Sequence, residues 1–195
     1  QPKKIILIEK DLELSNLLNS KYQNNELFKI YNQDVLNFNF QKYKKIIFIS
    51  NLPYNISTKI LYKLIRYRNN FSEIILMLQK EVAEKLQYNQ DKKINKHSFI
   101  INTFFNFKIM FGVTNKVFYP RPKVKSSVVK ITIKKDIKID LDKLLFFTNK
   151  IFLYKRKKIS NILKDYQINK IDDKILNMRT EDISSETLLK VFKEF

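Results

Sequence analysis

The sequence predicts an α/β fold: an open, largely parallel sheet with helices, followed by a small lobe of helices alone. Three observations carry this. Short apolar runs of strand length alternate with stretches that repeat apolar residues at helical spacing, the pattern of βαβ units. Each of the first three strands ends at or just before a polar side chain: Glu9, Asp34 and Asn51. After about residue 137 the strand-like runs stop and only helical spacing continues.

In order, Ile5-Ile6-Leu7-Ile8 is a short buried strand with Glu9 at its carboxyl end. Leu14, Leu17, Leu18 and Tyr22 then fall at helical spacing. Residues 28–31 form the second strand, with Asp34 just past it. Lys45-Ile46-Ile47-Phe48-Ile49 reads as a fully buried third strand, followed by Ile60, Leu61, Leu64 and Ile65 at helical spacing. Three consecutive β-α units would thus place three polar side chains on one rim of a parallel sheet with right-handed crossovers. Residues 73–78 form a fourth strand leading into a helix at 79–86. Residues 98–107 read as helical, and 108–113 and 127–133 as an antiparallel pair ending the sheet. Beyond that, Leu141, Leu144, Leu145, Thr148, Ile151 and Phe152 make one apolar stripe, and the basic run Lys155-Arg156-Lys157-Lys158 follows. Ser184 and Glu186 supply an N-cap and an acidic first turn for a last helix over 188–195. Two domains are expected, residues 1–137 and 138–195.

Composition narrows the partners. Lys and Arg outnumber Asp and Glu by 38 to 19, a formal charge of +19. Such an excess calls for a polyanion, and nucleic acid is the first candidate. A membrane surface is the rival, but no apolar run spans a bilayer and the basic residues are spread along the chain, so no membrane role is expected. Cysteine is absent, which excludes disulfide and thiolate chemistry and fits the cytoplasm. A single histidine, His97, excludes a His-based metal cluster, and no metal is expected. The only glycine is Gly112, so no Gly-rich phosphate- or cofactor-cradling loop lies in this sequence. The wealth of Lys, Asn, Ile and Phe is what an AT-rich genome gives and is background. The sequence opens Gln1-Pro2-Lys3-Lys4 without Met and runs at once into a strand, so a preceding segment is expected.

The chemistry centres on Asn51-Leu52-Pro53-Tyr54, a strand-to-helix turn. Ligands in open α/β sheets sit beyond the carboxyl ends of the strands, where such turns lie. Pro53 fixes its own φ and biases Leu52 towards extended backbone. The turn suits modification of an amino group on a planar base. An aryl amine is a poor nucleophile because its lone pair is delocalised into the ring. Two acceptors on its N–H bonds, Asn51 Oδ1 and the Leu52 carbonyl, favour the pyramidal form whose lone pair can attack. Tyr54 can hold the base by stacking. An ordinary turn with a buried tyrosine is the plain alternative.

Glu9 suits the ribose hydroxyls of a nucleoside ligand, and Asp34 can accept from an adenine amine. Helix caps are the commoner use of a single acid there, but two in register favour a ligand. Val117-Phe118-Tyr119-Pro120-Arg121-Pro122-Lys123-Val124-Lys125-Ser126 is a rigid extended loop. Phe118 is a candidate to stack on a base; a hydrophobic plug at the loop's root is the alternative. The run at 155–158 adds a basic wall to a nucleic-acid groove, or is only a solvated helix face.

With these residues in place, the chain resembles the ribosomal-RNA adenine dimethyltransferases of the bacterial KsgA type. The likeness runs in order along nearly the whole chain: Ile8-Glu9-Lys10-Asp11, Asn32-Gln33-Asp34-Val35, Asn51-Leu52-Pro53-Tyr54-Asn55-Ile56-Ser57, Met77-Leu78-Gln79-Lys80-Glu81-Val82-Ala83, the proline-rich loop, and Arg156-Lys157 with Ile159 and Asn161. The resemblance implies a Rossmann-like class I methyltransferase sheet with a small C-terminal helical lobe. It implies S-adenosylmethionine as methyl donor and two adjacent adenines of small-subunit ribosomal RNA as target, each dimethylated on its exocyclic amine during ribosome maturation. A cytoplasmic monomer that binds ribosomal RNA is expected. In that reading Glu9, Asp34 and Asn51 hold the cofactor, and Asn51, Leu52, Pro53, Tyr54 and Phe118 form the catalytic site. Lys123, Lys125, Lys155, Arg156, Lys157 and Lys158 are the expected RNA contacts.

Three departures stand out. The family's first strand and Gly-rich loop are not in this sequence, its usual Tyr-Gly pair is Asn95-Lys96, and an acidic residue of the proline-rich loop is Lys125. A non-catalytic RNA-binding assembly factor is a competing reading. A large-subunit ribosomal-RNA methyltransferase is another, and Leu52 with the helical tail argues against it.

Overall fold

The computed structural model describes residues 2–87, 93–166, 168 and 170–195. The chain forms two compact units, Gln1–Lys44 and Lys45–Phe195. The helical tail is therefore part of the second unit, and the contacts divide the chain at 44/45, where the sequence reading divides it near 137.

The first unit pairs β1 (Ile5–Glu9) with β2 (Phe28–Asn32) in parallel, joined by α1 (Leu12–Tyr22). Asp11 starts α1 by accepting from the Leu14 amide at 2.9 Å, an N-cap that satisfies one of the helix's free donors. The expected stripe on α1 is only partly covered. Tyr22 stacks on Phe28 at 4.0 Å between ring centres, whereas Leu14 and Leu17 face solvent. The core of this unit is aromatic instead. Phe38 and Phe40 are buried, Phe38 packs edge-on against Tyr31 and stacks on Tyr43, and the Tyr31 and Tyr43 hydroxyls meet at 2.9 Å. Between β2 and the next strand the connection carries a 3-10 turn, Phe40–Lys42, where a second α-helix was expected. The Asn39 side chain caps this turn.

The second unit is a four-stranded sheet in the order β3 (Ile46–Asn51), β4 (Phe71–Gln79), β6 (Ser126–Ile133), β5 (Phe105–Val113). β3 and β4 are parallel, and β6 runs antiparallel to both β4 and β5. The expected antiparallel end of the sheet is present. Its first strand begins at Phe105, because α4 (Lys96–Phe104) stops there and the helix expected over 98–107 is shorter. Beyond Phe104 burial alternates along β5, with Phe105 and Phe107 inside and Asn106 and Lys108 outside, the period of a strand rather than a helix.

β4 lies between β3 and β6 and buries Ile74, Leu76 and Leu78 completely along one face. β3 differs from its expectation. Phe48 is buried but Ile47 and Ile49 are exposed, since an edge strand in this unit has one face uncovered. α2 (Ser57–Arg66) buries Ile60, Leu61, Leu64 and Ile65. A strand-to-helix step then leads from β4 into α3 (Lys80–Leu86). α5 (Leu141–Leu153) buries Leu141, Leu144, Phe147, Thr148, Ile151 and Phe152, close to the expected stripe. A bidentate pair, Arg66 to Asp142 at 2.9 and 2.5 Å, ties α2 to α5. Two short helices, α6 (Ile159–Ile162) and α7 (Asp173–Leu176), precede α8 (Ser185–Glu194), which starts at the expected Ser184 cap.

Candidate active site

The first unit supplies a carboxylate turn. Glu9 is the last residue of β1 and sits in register with Asn32, the last of β2. Glu9 Oε1 accepts from the Asp11 amide at 2.8 Å, which fixes the carboxylate over the start of α1. Its second oxygen takes no hydrogen bond among the described residues. Asn32 opens the Asn32-Gln33-Asp34-Val35 motif but is not among the expected site residues. Its side-chain amide donates to the carbonyls of Glu9 and Lys10 at 3.1 Å and lies 3.4 Å from that of Asp11. The signal available was its position: a polar residue in register with Glu9 at the end of a parallel strand.

Asp34 lies past β2, as expected. Its Oδ1 accepts from the Leu36 amide at 2.8 Å, and its Oδ2 pairs with Lys10 Nζ at 3.2 Å. Lys10 is 78 % exposed against 24 % for Asp34, so the lysine is held loosely and can swing aside for a ligand donor. The turn meets the chemical demand of a nucleoside. One carboxylate oxygen is available to ribose hydroxyls, and a second, half-buried carboxylate lies one strand away.

The second unit supplies the turn that follows β3. Asn51 pairs in register with Met77 of β4, and the Leu52 amide reaches the Met77 carbonyl at 3.4 Å. Leu52 is only 2 % exposed, so its side chain anchors the turn in the core. Asn51 is exposed, and neither its side chain nor the Leu52 carbonyl takes a hydrogen bond among the described residues. Pro53 is extended, with φ −57° and ψ 130°, and a 3-10 turn, Tyr54–Ile56, leads into α2. The Tyr54 side chain lies outside the described residues.

Strand register brings the proline-rich loop to the same rim. Gln79 at the end of β4 pairs with Ser126 at the start of β6, and Ser126 pairs with Val113 at the end of β5. The loop over 114–125 therefore leaves and returns at the edge where β3 ends in Asn51. It is tied down at both ends. Asn115 donates to the Pro122 carbonyl at 3.1 Å and accepts from Arg121 at 3.2 Å, and the Lys80 amide donates to the Lys125 carbonyl at 2.9 Å. Phe118 is half-buried in this loop, and Arg121, Lys123 and Lys125 are exposed beside it.

The basic run 155–158 is a turn after α5 rather than a helix face, and all four side chains are exposed. Lys157 lies over the Tyr154 ring at 4.6 Å. Lys158 donates to Asn177 at 3.0 Å, which leaves Lys155 and Arg156 as the more open cations of the run.

Comparison with known proteins places the chain in a family. All of residues 1–195 match the sequence model for ribosomal RNA adenine dimethylase. The chain belongs to the ribosomal RNA adenine dimethylase family. It is an S-adenosylmethionine-dependent methyltransferase that dimethylates adenine in ribosomal RNA. It is 36 % identical over 207 residues to a ribosomal RNA small subunit methyltransferase A of Malacoplasma penetrans, covering 100 % of this chain and 75 % of that protein. To the protein of the same name from Chlorobium chlorochromatii it is 33 % identical, over 96 % of this chain and 73 % of the relative. In fold it is similar to a dimethyladenosine transferase from Plasmodium falciparum, with TM-score 0.81 and 23 % identity over 99 % of this chain and 82 % of that one. The fold is that of a Rossmann-like class I methyltransferase. No helix of the described residues is long and apolar enough to cross a membrane.

Proposed function

We propose that this dimethylase acts on two adjacent adenines of small-subunit ribosomal RNA during ribosome maturation, as a cytoplasmic monomer working away from membranes. The observation that carries the reading is the whole-chain family match together with relatives at 31–36 % identity that bear the small-subunit name.

In this reading Glu9 accepts from the cofactor's ribose hydroxyls through the oxygen not used by Asp11, and Asp34 accepts from its adenine amine once Lys10 moves off. When bound, S-adenosylmethionine supplies an electrophilic methyl group. The protein's part is position and electrostatics. Asn51 Oδ1 and the Leu52 carbonyl accept the two N–H bonds of the target amine. That holds the nitrogen pyramidal and its lone pair localised. The same acceptors stabilise the positive charge that develops on nitrogen as it is alkylated, after which the nitrogen gives one N–H proton to water; in the second round the one remaining N–H is held by one of the two acceptors. No general base is needed before transfer, because the amine attacks in its neutral form. Tyr54 and Phe118 hold the purine by its faces. Lys123, Lys125, Lys155, Arg156, Lys157 and Lys158 track RNA phosphates.

The test is methyl transfer from labelled cofactor to a small-subunit RNA fragment containing two adjacent adenines, read by nucleoside mass spectrometry. Dimethyladenosine at both positions supports the reading. Transfer to large-subunit RNA alone, or binding with no transfer, defeats it.

A further inference from the structure

One residue of the rim loop is left unused by this chemistry. Tyr119 is 101 % exposed, and it makes no hydrogen bond or ring contact among the described residues. A ring of this size fully in water has both faces open to stacking. It does not sit on a slack segment, because the Asn115 bonds to Pro122 and Arg121 pin the loop around it. Phe118, its neighbour, has extended backbone, with φ −109° and ψ 147°. Successive side chains of extended backbone point to opposite sides. Phe118 is half-buried and Tyr119 is bare, which is the burial difference that opposite orientation produces. Cations follow on the same loop at Arg121, Lys123 and Lys125, all exposed, so the surroundings favour a polyanion.

We infer that the loop is a two-faced base separator: Phe118 stacks on the target adenine, and Tyr119 stacks on the base next to it in the RNA chain. Tyr119 is then a specificity-determining residue for a substrate with two adjacent purines. The inference rests on the reading of Phe118 given above. It gives physical form to the adjacency of the two targets. A base unstacked from its neighbour leaves that neighbour's face exposed, and the exposed tyrosine replaces the lost stack.

A binding cycle tests this without any need for catalysis. Affinity is measured for the whole chain and for Tyr119→Ala and Tyr119→Phe, with three short single-stranded RNAs. One is intact, one lacks the base beside the target, and one lacks the target base. Tyr119→Ala is expected to weaken binding of the intact RNA about tenfold, the size of one lost base–aromatic stack. It should leave the RNA without the neighbouring base unaffected, and Tyr119→Phe should bind like the parent. Equal loss on both RNAs, no loss on either, or no binding of any RNA by the parent overturns the inference. The RNA without its target base reports separately on Phe118. If the parent binds it as well as intact RNA, the reading of Phe118 fails whatever Tyr119 does.

Discussion

Asn32 holds the turn that carries Glu9. Its side-chain amide donates to the Glu9 carbonyl at 3.1 Å, while the Gln33 amide donates to the same carbonyl at 2.9 Å. The backbone of the turn is therefore braced from the neighbouring strand, while the Asp11 amide fixes the carboxylate itself. Asn32→Ala is expected to lower affinity for S-adenosylmethionine about tenfold, the equivalent of one to two net hydrogen bonds at about 1 kcal/mol each. Asn32→Asp should lose as much, since a carboxylate cannot donate to carbonyls. Equilibrium dialysis against labelled cofactor decides; unchanged affinity in both variants means that the strand ladder alone sets the turn.

Asn51→Ala should separate chemistry from binding. The side chain is exposed and makes no hydrogen bond among the described residues, so its removal leaves the turn anchored by Leu52. Loss of one of two acceptors on the amine should cut the rate by about 10² to 10³, by analogy with removing one preorganised partner of a developing charge. RNA affinity should change little. Single-turnover methylation beside a binding titration makes the comparison, and equal rates for variant and parent would remove Asn51 from the mechanism.

How much of this was legible in the sequence depends on which force places each residue. The strand-to-helix turn at Asn51, Leu52 and Pro53 was readable because a strand, a proline and a helical stripe sit side by side in the chain. The Ser184 cap and the α5 stripe were readable for the same local reason. Asn32 was not, because its partners are more than twenty residues away and only strand register brings them together. Ile47 and Ile49 misled, because an apolar run looks alike whether a sheet has two covered faces or one. The second β-α unit differs because no stretch of helical spacing follows β2. There an aromatic cluster built on Phe38 does the packing in place of a helix.

Ser15 offers a gain in stability. Its hydroxyl is completely buried in α1 and has no hydrogen-bond partner among the described residues. Its backbone amide already bonds to the Asp11 carbonyl at 3.0 Å, so the helix does not need the side chain. Ser15→Ala removes a desolvated hydroxyl and adds the best helix former. The expected stabilisation is about 1 kcal/mol. Urea unfolding at constant m-value measures it, and a lower midpoint would show that the hydroxyl is satisfied in solution.

His97 should give stability a pH dependence. The Tyr62 hydroxyl of α2 and His97 Nδ1 of α4 share a hydrogen bond of 2.6 Å. Burial pushes the Tyr62 phenol up to about 12, so it keeps its proton at every physiological pH. The His97 ring is open to solvent on one side, yet burial of the rest, with Lys96 nearby, lowers its pKa from 6.5. The fold thus favours neutral imidazole, and the unfolded chain takes up its proton first as pH falls. The contribution is complete above about pH 6.5, declines below it, and levels off once the folded form is protonated too. Melting curves between pH 8 and pH 5 should show this decline in the parent and less of it in His97→Asn, whose amide oxygen can replace Nδ1. Identical slopes would assign the pH dependence to other groups.

The basic run after α5 should show its role through salt. A protein touching six to ten phosphates loses about 10³ to 10⁵ in affinity between 50 and 200 mM salt. Each cation that displaces a counterion from single-stranded RNA adds about 0.7 to the slope of log affinity against log salt. Lys155 and Arg156 are exposed and carry no side-chain partner among the described residues, so Lys155→Ala and Arg156→Ala should each flatten the slope by about that amount. Lys158 already donates to Asn177, and Lys158→Ala should flatten it less because part of its charge is spent holding α7. The ordering of the three slopes is the measurement. A slope that none of the substitutions changes would move the phosphate path to Arg121, Lys123 and Lys125 on the rim loop, where the same titration can be repeated.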